Sequence, residues 1–539
     1  MQTRVIFFVI ISTLFFIECS NKEIKKESLI DYNKYWYLKD ITLDSVAGIS
    51  LKKAFDYLDR KQIEDTVVVA VIDSELNIKL DLFKNNIWIN VDEVPNNNID
   101  DDNNGYIDDY NGWNFIANTN GKYTKFCHFE STRILRKFNT LLEADIDTAS
   151  TLGRNYEIYR KAQKDFSFQL QSVKSQEDYG NFLNNNYDKA YATASEFFPN
   201  KDYNTKSLDS LYLALKDSNQ EKANLIYFVS DCIKYGITKD WIKTYQYNAE
   251  NILQKCLNLN YDERVNIGDD AYNINDSIYG SPKLFHDISL SYHASQVAAI
   301  IADHNRKKFL KIMPIIISSN GDENDKDIAT SIRYAVNNGA KVINMSLGKE
   351  LSLNTKWIID AVKYAASKDV LIMYAAGNNA KNIENDLNKY YPNDVNEKGE
   401  EIVANFISVA ASGKTLDENL ATNFSNYNKI HVDIFAPGDS IYVYLPDGEN
   451  YYNQGTSLAT PMVSKTAALI RSYYPNLTAA EVKQIIMESG VSFDMMVNKP
   501  STSKEKELVP FSSLSKSGKI VNAYNALLLA EEISKKKKK

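Results

Sequence analysis

Short apolar runs recur along this chain, and amphipathic stretches separate them. Four of the runs are rich in valine, isoleucine and alanine, namely "TVVVAVIDSE" (66–75), "AKVINMSLG" (340–348), "VLIMYAAGN" (370–378) and "NFISVAAS" (405–412). A run that is apolar on both faces is typical of a strand buried in a parallel sheet. Between them, residues 325–339 and 355–369 carry apolar positions at helical spacing. This alternation predicts an α/β fold with a doubly wound, mostly parallel sheet.

Residues 118–280 interrupt the alternation. They contain long amphipathic, leucine-rich stretches such as "SLDSLYLALKDSNQEKANLIYFVSDCIKYG", which predict helices. We therefore expect a helical insertion between two pieces of one α/β domain, residues 66–117 and 281–530. Residues 20–65 are an N-terminal extension. The lysine-rich stretch at 531–539 is predicted to be a solvated basic tail.

Composition narrows the class of protein. The chain has 539 residues, a formal net charge of −8 and a pI near 5.4. With 44% hydrophobic and 24% charged residues it is typical of well-packed globular proteins, and its acidic balance argues against nucleic acid as the main partner. Three cysteines follow Cys19, namely Cys127, Cys232 and Cys256. An odd number cannot all pair within one chain, and their spacing matches no metal site. The oligomeric state stays open.

The N-terminus has the features of a secretory signal. An apolar run from Val5 to Ile17 is too short to span a bilayer, which needs about 20 residues, but it fits the apolar core of a signal peptide. Cys19 after this run resembles the lipidated cysteine of a bacterial lipoprotein signal, although Glu18 stands where that pattern has a small residue. We expect a lipoprotein-type signal over 1–19, so that the protein is exported and anchored to a membrane of the bacterial envelope through Cys19. The alternative is an ordinary cleaved signal and a periplasmic or secreted protein.

A serine stands at the predicted start of a helix within "QGTSLATPMVSKTAALIRSYYP" (454–475). Gly455 permits a tight turn before it, and Pro461 is tolerated in the first turns of a helix. Free backbone N–H groups and the positive end of the helix dipole favour a developing oxyanion beside Ser457. The same position is the commonest one for an N-cap serine without a catalytic role. This stretch alone therefore leaves both interpretations open.

Seven blocks of the chain together resemble the subtilisin-like serine proteases (subtilases, peptidase family S8). The blocks are "VVVAVIDSE" ending near Asp73, "HASQVAA" from His293, "VINMSLG", "AAGN" (375–378), "FSNY" (424–427), "VDIFAPGDSIY" (432–442) and "GTSLATP" around Ser457. They occur in the Asp, His, Ser order of subtilisins. The resemblance covers nearly all of the α/β part and leaves the insertion unmatched.

The resemblance implies roles for four residues. Asp73, His293 and Ser457 would form a catalytic triad, in which His293 takes the proton of Ser457 and Asp73 fixes the imidazole. The Asn378 amide and the Ser457 N–H would stabilise the oxyanion. Both Asp73 and Asn378 stand at predicted carboxyl ends of strands, where doubly wound sheets bind their ligands. His286 is the nearest rival histidine in the sequence.

Two departures from the family pattern affect the expected cleft. The resemblance implies that Ser346, Leu347 and Gly348 bind substrate, but Lys349 stands where a second glycine is usual. We expect Lys349 either to narrow the cleft or to add a charge near the bound peptide. In the histidine block, Gln296 stands where the family has a second histidine. A glutamine side chain can form hydrogen bonds but cannot titrate.

An acidic loop predicts a second site. Asp100, Asp102, Asn104 and Asp108 follow the spacing of the first part of an EF-hand calcium loop, although Asn111 stands where that loop has a bidentate glutamate. The resemblance includes similar acidic loops in secreted subtilases. We expect calcium at these four residues. The alternative is a polar turn held by local Asx hydrogen bonds.

The sequence thus favours a serine endopeptidase that acts on polypeptides. Its chemistry requires no cofactor, and calcium would be structural. The alternative hypothesis is a catalytically impaired, subtilase-like binding protein at the cell surface, suggested by the altered histidine block and Lys349. For the insertion alone, a helical interaction module is a third possibility.

Overall fold

The structure is a computed structural model that describes residues 34–142, 152–303, 305, 307–384, 389–396 and 398–538. The predicted signal segment 1–19, with Cys19, lies outside the described residues. The chain divides into two compact units. The described part of the first is Ser167–Gln254, and the second comprises Asp31–Phe166 and Lys255–Lys539.

The second unit is built on a nine-stranded sheet. The strands of the described residues are β1 (Val67–Asp73), β2 (Trp113–Asn114), β3 (Leu310–Ile316), β4 (Val342–Met345), β5 (Leu371–Ala375), β6 (Phe406–Ser412), β7 (Ile434–Pro437), β8 (Ile441–Tyr444), β9 (Asn450–Asn453), β10 (Val491–Ser492), β11 (Met496–Asn498), β12 (Leu508–Pro510) and β13 (Lys519–Ile520). The order across the sheet is β10-β13-β7-β6-β5-β4-β1-β3-β2. Neighbouring strands are parallel except β10 with β13. β8 and β9 form a separate antiparallel hairpin, and β11 pairs with β12.

Helices connect these strands and form the insertion. They are α1 (Ile41–Asp44), α2 (Leu51–Leu58), α3 (Glu130–Leu142), α4 (Leu152–Phe197), α5 (Thr205–Leu215), α6 (Gln220–Lys234), α7 (Lys239–Asn251), α8 (Glu263–Ile267), α9 (Tyr292–Ala302), α10 (Asp325–Asn337), α11 (Thr355–Ser367), α12 (Thr456–Tyr473), α13 (Ala479–Ser489) and α14 (Ala523–Lys537).

Both faces of the sheet are buried. Ala70 and Ile72 of β1 share one apolar cluster with side chains of α10 and α11. Side chains alternate along a strand, so Val69 and Val71 point to the opposite face, and they are equally buried. α12 packs against α9 and against β4, β5 and β6. The predicted doubly wound α/β fold is confirmed.

The helical unit is smaller than the insertion predicted at 118–280. Its compact part is Ser167–Gln254, because the flanking segments pair with the sheet unit. Asn114 and Ser281 form an antiparallel bridge, and Phe126 forms a parallel bridge with Asn320. Backbone pairing therefore joins both ends of the predicted insertion to the α/β unit.

Within the helical unit, two apolar clusters hold α5, α6 and α7 to the later part of α4. Their buried members are Ala190, Ala194, Leu208, Leu225, Ile226 and Val229 in one, and Leu183, Cys232, Ile237 and Ile242 in the other. Among the described residues, no helix combines the length and the apolar character needed to cross a membrane.

The basic C-terminal stretch, predicted to be a solvated tail over 531–539, continues a helix instead. Most of it belongs to α14. Lys535 pairs with Glu531 at 2.8 Å and Lys536 with Glu532 at 2.6 Å, each one turn apart. Such pairs and the cationic last turn both favour helix at this end.

Candidate active site

The parallel register of the sheet brings the candidate residues to one edge. Ile72 of β1 lies opposite Met345 of β4, and Met345 lies opposite Tyr374 of β5. The three strands therefore end side by side. Asp73 is the last residue of β1, and Asn378 follows shortly after β5. β3 lies on one side of β1 and β4 on the other, so the strand order reverses between β1 and β4. Doubly wound folds bind their ligands at such a point.

Asp73 and His293 form a hydrogen-bonded pair across this edge. Asp73 Oδ1 accepts from His293 Nδ1 at 2.7 Å and from the backbone N–H of Ser74 at 2.7 Å. The backbone N–H of Ala294, in the first turn of α9, donates to Ser74 Oγ at 3.2 Å. The Asp73 side chain is buried, whereas 46% of the His293 side chain is exposed. The carboxylate is thus shielded, and the imidazole remains accessible to solvent.

The environment of His293 favours its protonated form. Burial among neighbouring atoms lowers the pKa of the imidazole. The charge and hydrogen bond of Asp73, with a smaller contribution from Glu323, outweigh this effect and raise the pKa above the ordinary 6.5. Because its protonated form is stabilised, His293 is suited to act as a general base that takes up a proton during a reaction.

Ser457 is the second residue of α12 and exchanges hydrogen bonds with the end of β4. Ser457 Oγ donates to the Ser346 carbonyl at 2.9 Å, and Ser346 Oγ donates to the Ser457 carbonyl at 2.8 Å. The second bond compensates for Pro461, which has no N–H to donate to the carbonyl four residues earlier. The hydroxyl of Ser457 therefore points to Ser346 in this structure and not to His293.

Asn378 lies beside the start of α12 with its amide oxygen already used. Asn378 Oδ1 accepts from the backbone N–H and from Oγ1 of Thr456, both at 2.9 Å. These two bonds fix the amide plane and leave the Nδ2 hydrogens available as donors. Backbone N–H groups at a helix start are likewise not used within the helix. The arrangement offers donors to an anionic oxygen near Ser457.

The residues expected to bind substrate follow β4 directly. Ser346 and Leu347 are 2% and 8% exposed, and Gly348 is half-buried. Any contact of Ser346 or Leu347 with a ligand in the cleft would therefore be made mainly by their backbone.

Lys349 does not carry its charge into the cleft, contrary to the expectation from the sequence. Its side chain is 2% exposed, and Nζ lies 2.9 Å from Glu130 Oε2 and 2.8 Å from Asp325 Oδ1. Nζ also donates to the Glu323 carbonyl at 2.5 Å. The ammonium thus joins three segments, namely the start of α3, the start of α10 and the loop after β4.

Lys349 and Glu130 stabilise each other's charged forms. Burial lowers the pKa of Lys349, but the Asp325 and Glu130 carboxylates raise it more. Conversely, burial raises the pKa of Glu130, but the charges of Lys349 and Arg133 outweigh this effect and bring the pKa below its ordinary value. Removing one member of such a buried group leaves its partners uncompensated.

Gln296 links the histidine helix to the strand before Ser457. It is 4% exposed, and both ends of its amide are bonded. Gln296 Nε2 donates to Tyr451 Oη at 3.2 Å, and Gln296 Oε1 accepts from Asn453 Nδ2 at 2.7 Å. Because Asn453 ends β9 four residues before Ser457, the glutamine connects the two elements that carry His293 and Ser457.

His286, the rival histidine, has a structural environment. Its Nδ1 faces Glu75 Oε1 at 2.5 Å and its Nε2 faces the Gly121 carbonyl at 2.7 Å. Glu75 Oε2 also accepts the backbone N–H of His286 at 2.8 Å. Both ring nitrogens thus face acceptors, and neither is open to a substrate.

The acidic loop forms a carboxylate cluster that differs from the predicted calcium ligands. Among the described residues, carboxylate oxygens of Glu93, Asp100 and Asp102 lie within 4.8 Å of one another. Asp108 lies outside this group, and its carboxylate accepts two backbone N–H groups of the preceding turn at 3.0 Å. The amide oxygen of Asn104 is also used, by a backbone N–H at 2.7 Å.

Glu93 supplies the strongest indication of a cation. It is 4% exposed, and its Oε2 has no hydrogen-bond partner. Burial, with the nearby charges of Asp109 and Asp102, raises the pKa of Glu93 above its ordinary value. A divalent cation with oxygen ligands would satisfy this oxygen and offset the repulsion. The donor set therefore fits calcium.

Two acidic residues of this unit were not predicted from the sequence. Glu93 precedes the acidic loop by several residues, whereas the EF-hand spacing begins at Asp100. Glu323 acts electrostatically on His293 from the loop before α10. The position of Glu93 close to the candidate calcium loop could have indicated it as a ligand. In contrast, no feature of the sequence around Glu323 indicates that it acts on His293.

Comparison with known proteins gives one family. Residues 152–512 match the model of the Subtilase family, a range that includes His293, Asn378 and Ser457 but not Asp73. The Cell wall-associated protease of Bacillus subtilis (strain 168) is 34% identical over 213 residues, which cover 38% of this chain and 22% of that protein. The Major intracellular serine protease of the same strain is 34% identical over 190 residues, covering 34% of this chain and 55% of that protein.

Part of the chain also resembles solved structures. A cold adapted subtilisin-like serine proteinase is 23% identical with a TM-score of 0.34, covering 47% of this chain and 80% of that one. The chain spans about half or less of the length of the two curated relatives.

Replacing Lys349 tests the buried charge group. Lys349→Met leaves Asp325 buried without its cation and leaves Glu130 with Arg133 alone, so we expect the free energy of unfolding to fall by about 3–5 kcal/mol. Urea-induced unfolding measures the change. Lys356→Met is the matched control, because that side chain is 88% exposed and its loss should cost less than about 0.5 kcal/mol. Equal effects of the two substitutions would contradict the assignment.

Proposed function

This chain belongs to the subtilase family, and from that premise we propose that it is a serine endopeptidase that hydrolyses peptide bonds through an acyl-enzyme. One observation carries the proposal. The hydrogen-bonded pair of Asp73 and His293 lies at the sheet edge where β4 ends, and Ser457 is bonded to that strand end. A carboxylate, an imidazole and a serine at a helix start are the groups that acyl transfer requires.

In the first step, Ser457 Oγ would attack the carbonyl carbon of the scissile peptide bond. The hydroxyl must leave the Ser346 carbonyl and donate its proton to His293 Nε2. Asp73 accepts the Nδ1 hydrogen, which fixes the tautomer and stabilises the imidazolium. Asn378 Nδ2 and the Ser457 N–H would donate to the oxyanion, and the loss of one such donor typically raises the barrier by about 2.7–4 kcal/mol.

In the second step, the tetrahedral intermediate collapses. His293 gives its proton to the leaving amine, the C–N bond breaks, and the acyl group stays on Ser457. Water then attacks the ester while His293 takes its proton, the bond between the acyl carbon and Ser457 Oγ breaks, and His293 returns the proton to Oγ as the acid product leaves. The raised pKa of His293 favours the cation that both halves of the reaction require.

A second candidate function is binding without catalysis. One observation favours it: Ser457 Oγ donates to the Ser346 carbonyl and not to the imidazole. Hydrogen bonds between catalytic groups are often absent before substrate binds, so this observation weighs less than the intact Asp73–His293 pair.

We also propose that the protein is exported and acts at the bacterial envelope, anchored through Cys19. The apolar run from Val5 to Ile17 followed by this cysteine supports the proposal. The helical unit, Ser167–Gln254, would then be an additional module that recruits substrates or partners.

We further propose that calcium stabilises the acidic loop. Glu93, Asp100 and Asp102 would hold the ion, since their oxygens converge and Glu93 Oε2 has no other partner. The ion would supply positive charge to the loop and take no part in the acyl transfer.

Fluorophosphonate labelling tests the proposed activity. The probe should attach to Ser457 of the folded protein, and Ser457→Ala and His293→Ala should abolish the labelling. Its rate should rise with pH through a midpoint above 6.5, because only the neutral imidazole can accept the serine proton. Asp73→Asn should lower the rate by about 10⁴-fold. Folded wild type that does not react at pH 8 would favour the binding protein.

Isothermal titration with calcium chloride tests the acidic loop. We expect binding to the wild type, and a gain in the free energy of unfolding of about 2.7 kcal/mol at free calcium 100-fold above Kd. Glu93→Gln should weaken binding strongly. Asp92→Asn is the matched control, because Asp92 is the exposed neighbour of Glu93 and lies outside the cluster. Unchanged affinity in Glu93→Gln would contradict the site.

A further inference from the structure

A tyrosine ring fills the space between two strand ends beside the candidate active site. Gly348 follows β4 and Gly377 follows β5. A Cβ built on Gly348 would lie 2.5 Å from Tyr390 Cε1, and one built on Gly377 would lie 2.9 Å from the same atom. Real Cβ atoms essentially never approach another heavy atom so closely. The ring therefore occupies the space that the two glycines leave open.

Hydrogen bonds hold this ring in place. Tyr390 Oη donates to the Gly348 carbonyl at 3.0 Å. The next residue, Tyr391, exchanges both backbone hydrogen bonds with Lys349, at 2.9 and 2.8 Å. Burial, and then the charges of three nearby carboxylates, raise the pKa of the Tyr390 phenol, so the hydroxyl remains a donor at working pH. Because Lys349 is itself held by buried carboxylates, the Tyr390 segment is attached to a rigid part of the cleft.

The ring lies where a substrate residue must pass. Asn378 directly follows Gly377, and Ser457 Oγ is 2.9 Å from the carbonyl of Ser346, two residues before Gly348. A scissile carbonyl must reach Ser457 Oγ with its carbon and Asn378 with its oxygen. The residue that supplies this carbonyl is then held between the two strand ends. Its side chain must point either to solvent or into the space that Tyr390 occupies.

We propose that Tyr390 determines specificity by limiting the residue before the cleaved bond to small side chains, namely glycine, alanine and serine. The proposal rests on the proposed peptidase function. A larger side chain would have to displace the ring and break its bond to Gly348, while a small one is accommodated without rearrangement. Since one methylene in a pocket changes discrimination by about 10–200-fold, a complete phenyl ring should be rejected strongly.

Fluorogenic peptides that differ only in the residue before the cleaved bond test this proposal. Alanine, leucine, phenylalanine and lysine are compared, and fluorophosphonate titration of Ser457 gives the concentration of active sites. For the wild type, kcat/KM for alanine should exceed that for leucine and phenylalanine by at least about 10-fold. Tyr390→Ala should raise the ratio of kcat/KM for phenylalanine to that for alanine by at least about 10-fold.

Tyr390→Phe is the matched control, because it keeps the ring and removes only the hydroxyl. Tyr390→Phe should retain the preference for alanine. If Tyr390→Ala does not fold, the wild type and Tyr390→Phe still test the proposal. Wild type that labels with fluorophosphonate but cleaves equally well after phenylalanine, mainly after lysine, or not at all would overturn the proposal. Failure of labelling itself would instead reject the peptidase function.

Discussion

The common ending of three parallel strands is the constraint on which the candidate site depends. β1, β4 and β5 are adjacent and in register, so Asp73, Ser346 and Asn378 emerge at one edge of the sheet. Because both faces are covered by helices, the strands cannot shift without exposing apolar side chains on two sides. The sheet thus determines where a carboxylate and an amide can stand, and α9 and α12 bring His293 and Ser457 to them.

Polar contacts between elements determine the finer geometry. The reciprocal bonds of Ser346 and Ser457 join β4 to α12, and they exist because Pro461 leaves a carbonyl of the helix without a partner. Gln296 joins α9 to the strand before Ser457. Lys349 joins the loop after β4 to the starts of α3 and α10. Each contact links segments that are far apart in the chain, so the cleft has little freedom to change its width.

The sequence was sufficient to predict the central strands β1, β4, β5 and β6, and the family resemblance selected Asp73, His293, Asn378 and Ser457 as candidate residues. Strands such as β1 are apolar on both faces, and the helices between them have apolar residues at helical spacing. The local sequence was therefore enough to predict these elements. The bond from Ser457 Oγ to Ser346 was not predictable, because a hydroxyl chooses among acceptors that only the fold brings together. The burial of Lys349 was missed for the same reason, since its partner Glu130 lies 219 residues away. Asp108 satisfied the calcium spacing, but the fold places its carboxylate on two N–H groups of the turn before it and outside the cluster of Glu93, Asp100 and Asp102.

We propose that the groups at this sheet edge act together to form an acyl-enzyme on Ser457. Acid quenching during turnover of a peptide ester, followed by mass spectrometry of the intact and digested protein, measures this intermediate directly. We expect an added acyl mass on the peptide that contains Ser457, and we expect it to be absent in His293→Ala. Turnover without an acyl adduct, or an adduct on another residue, would contradict it.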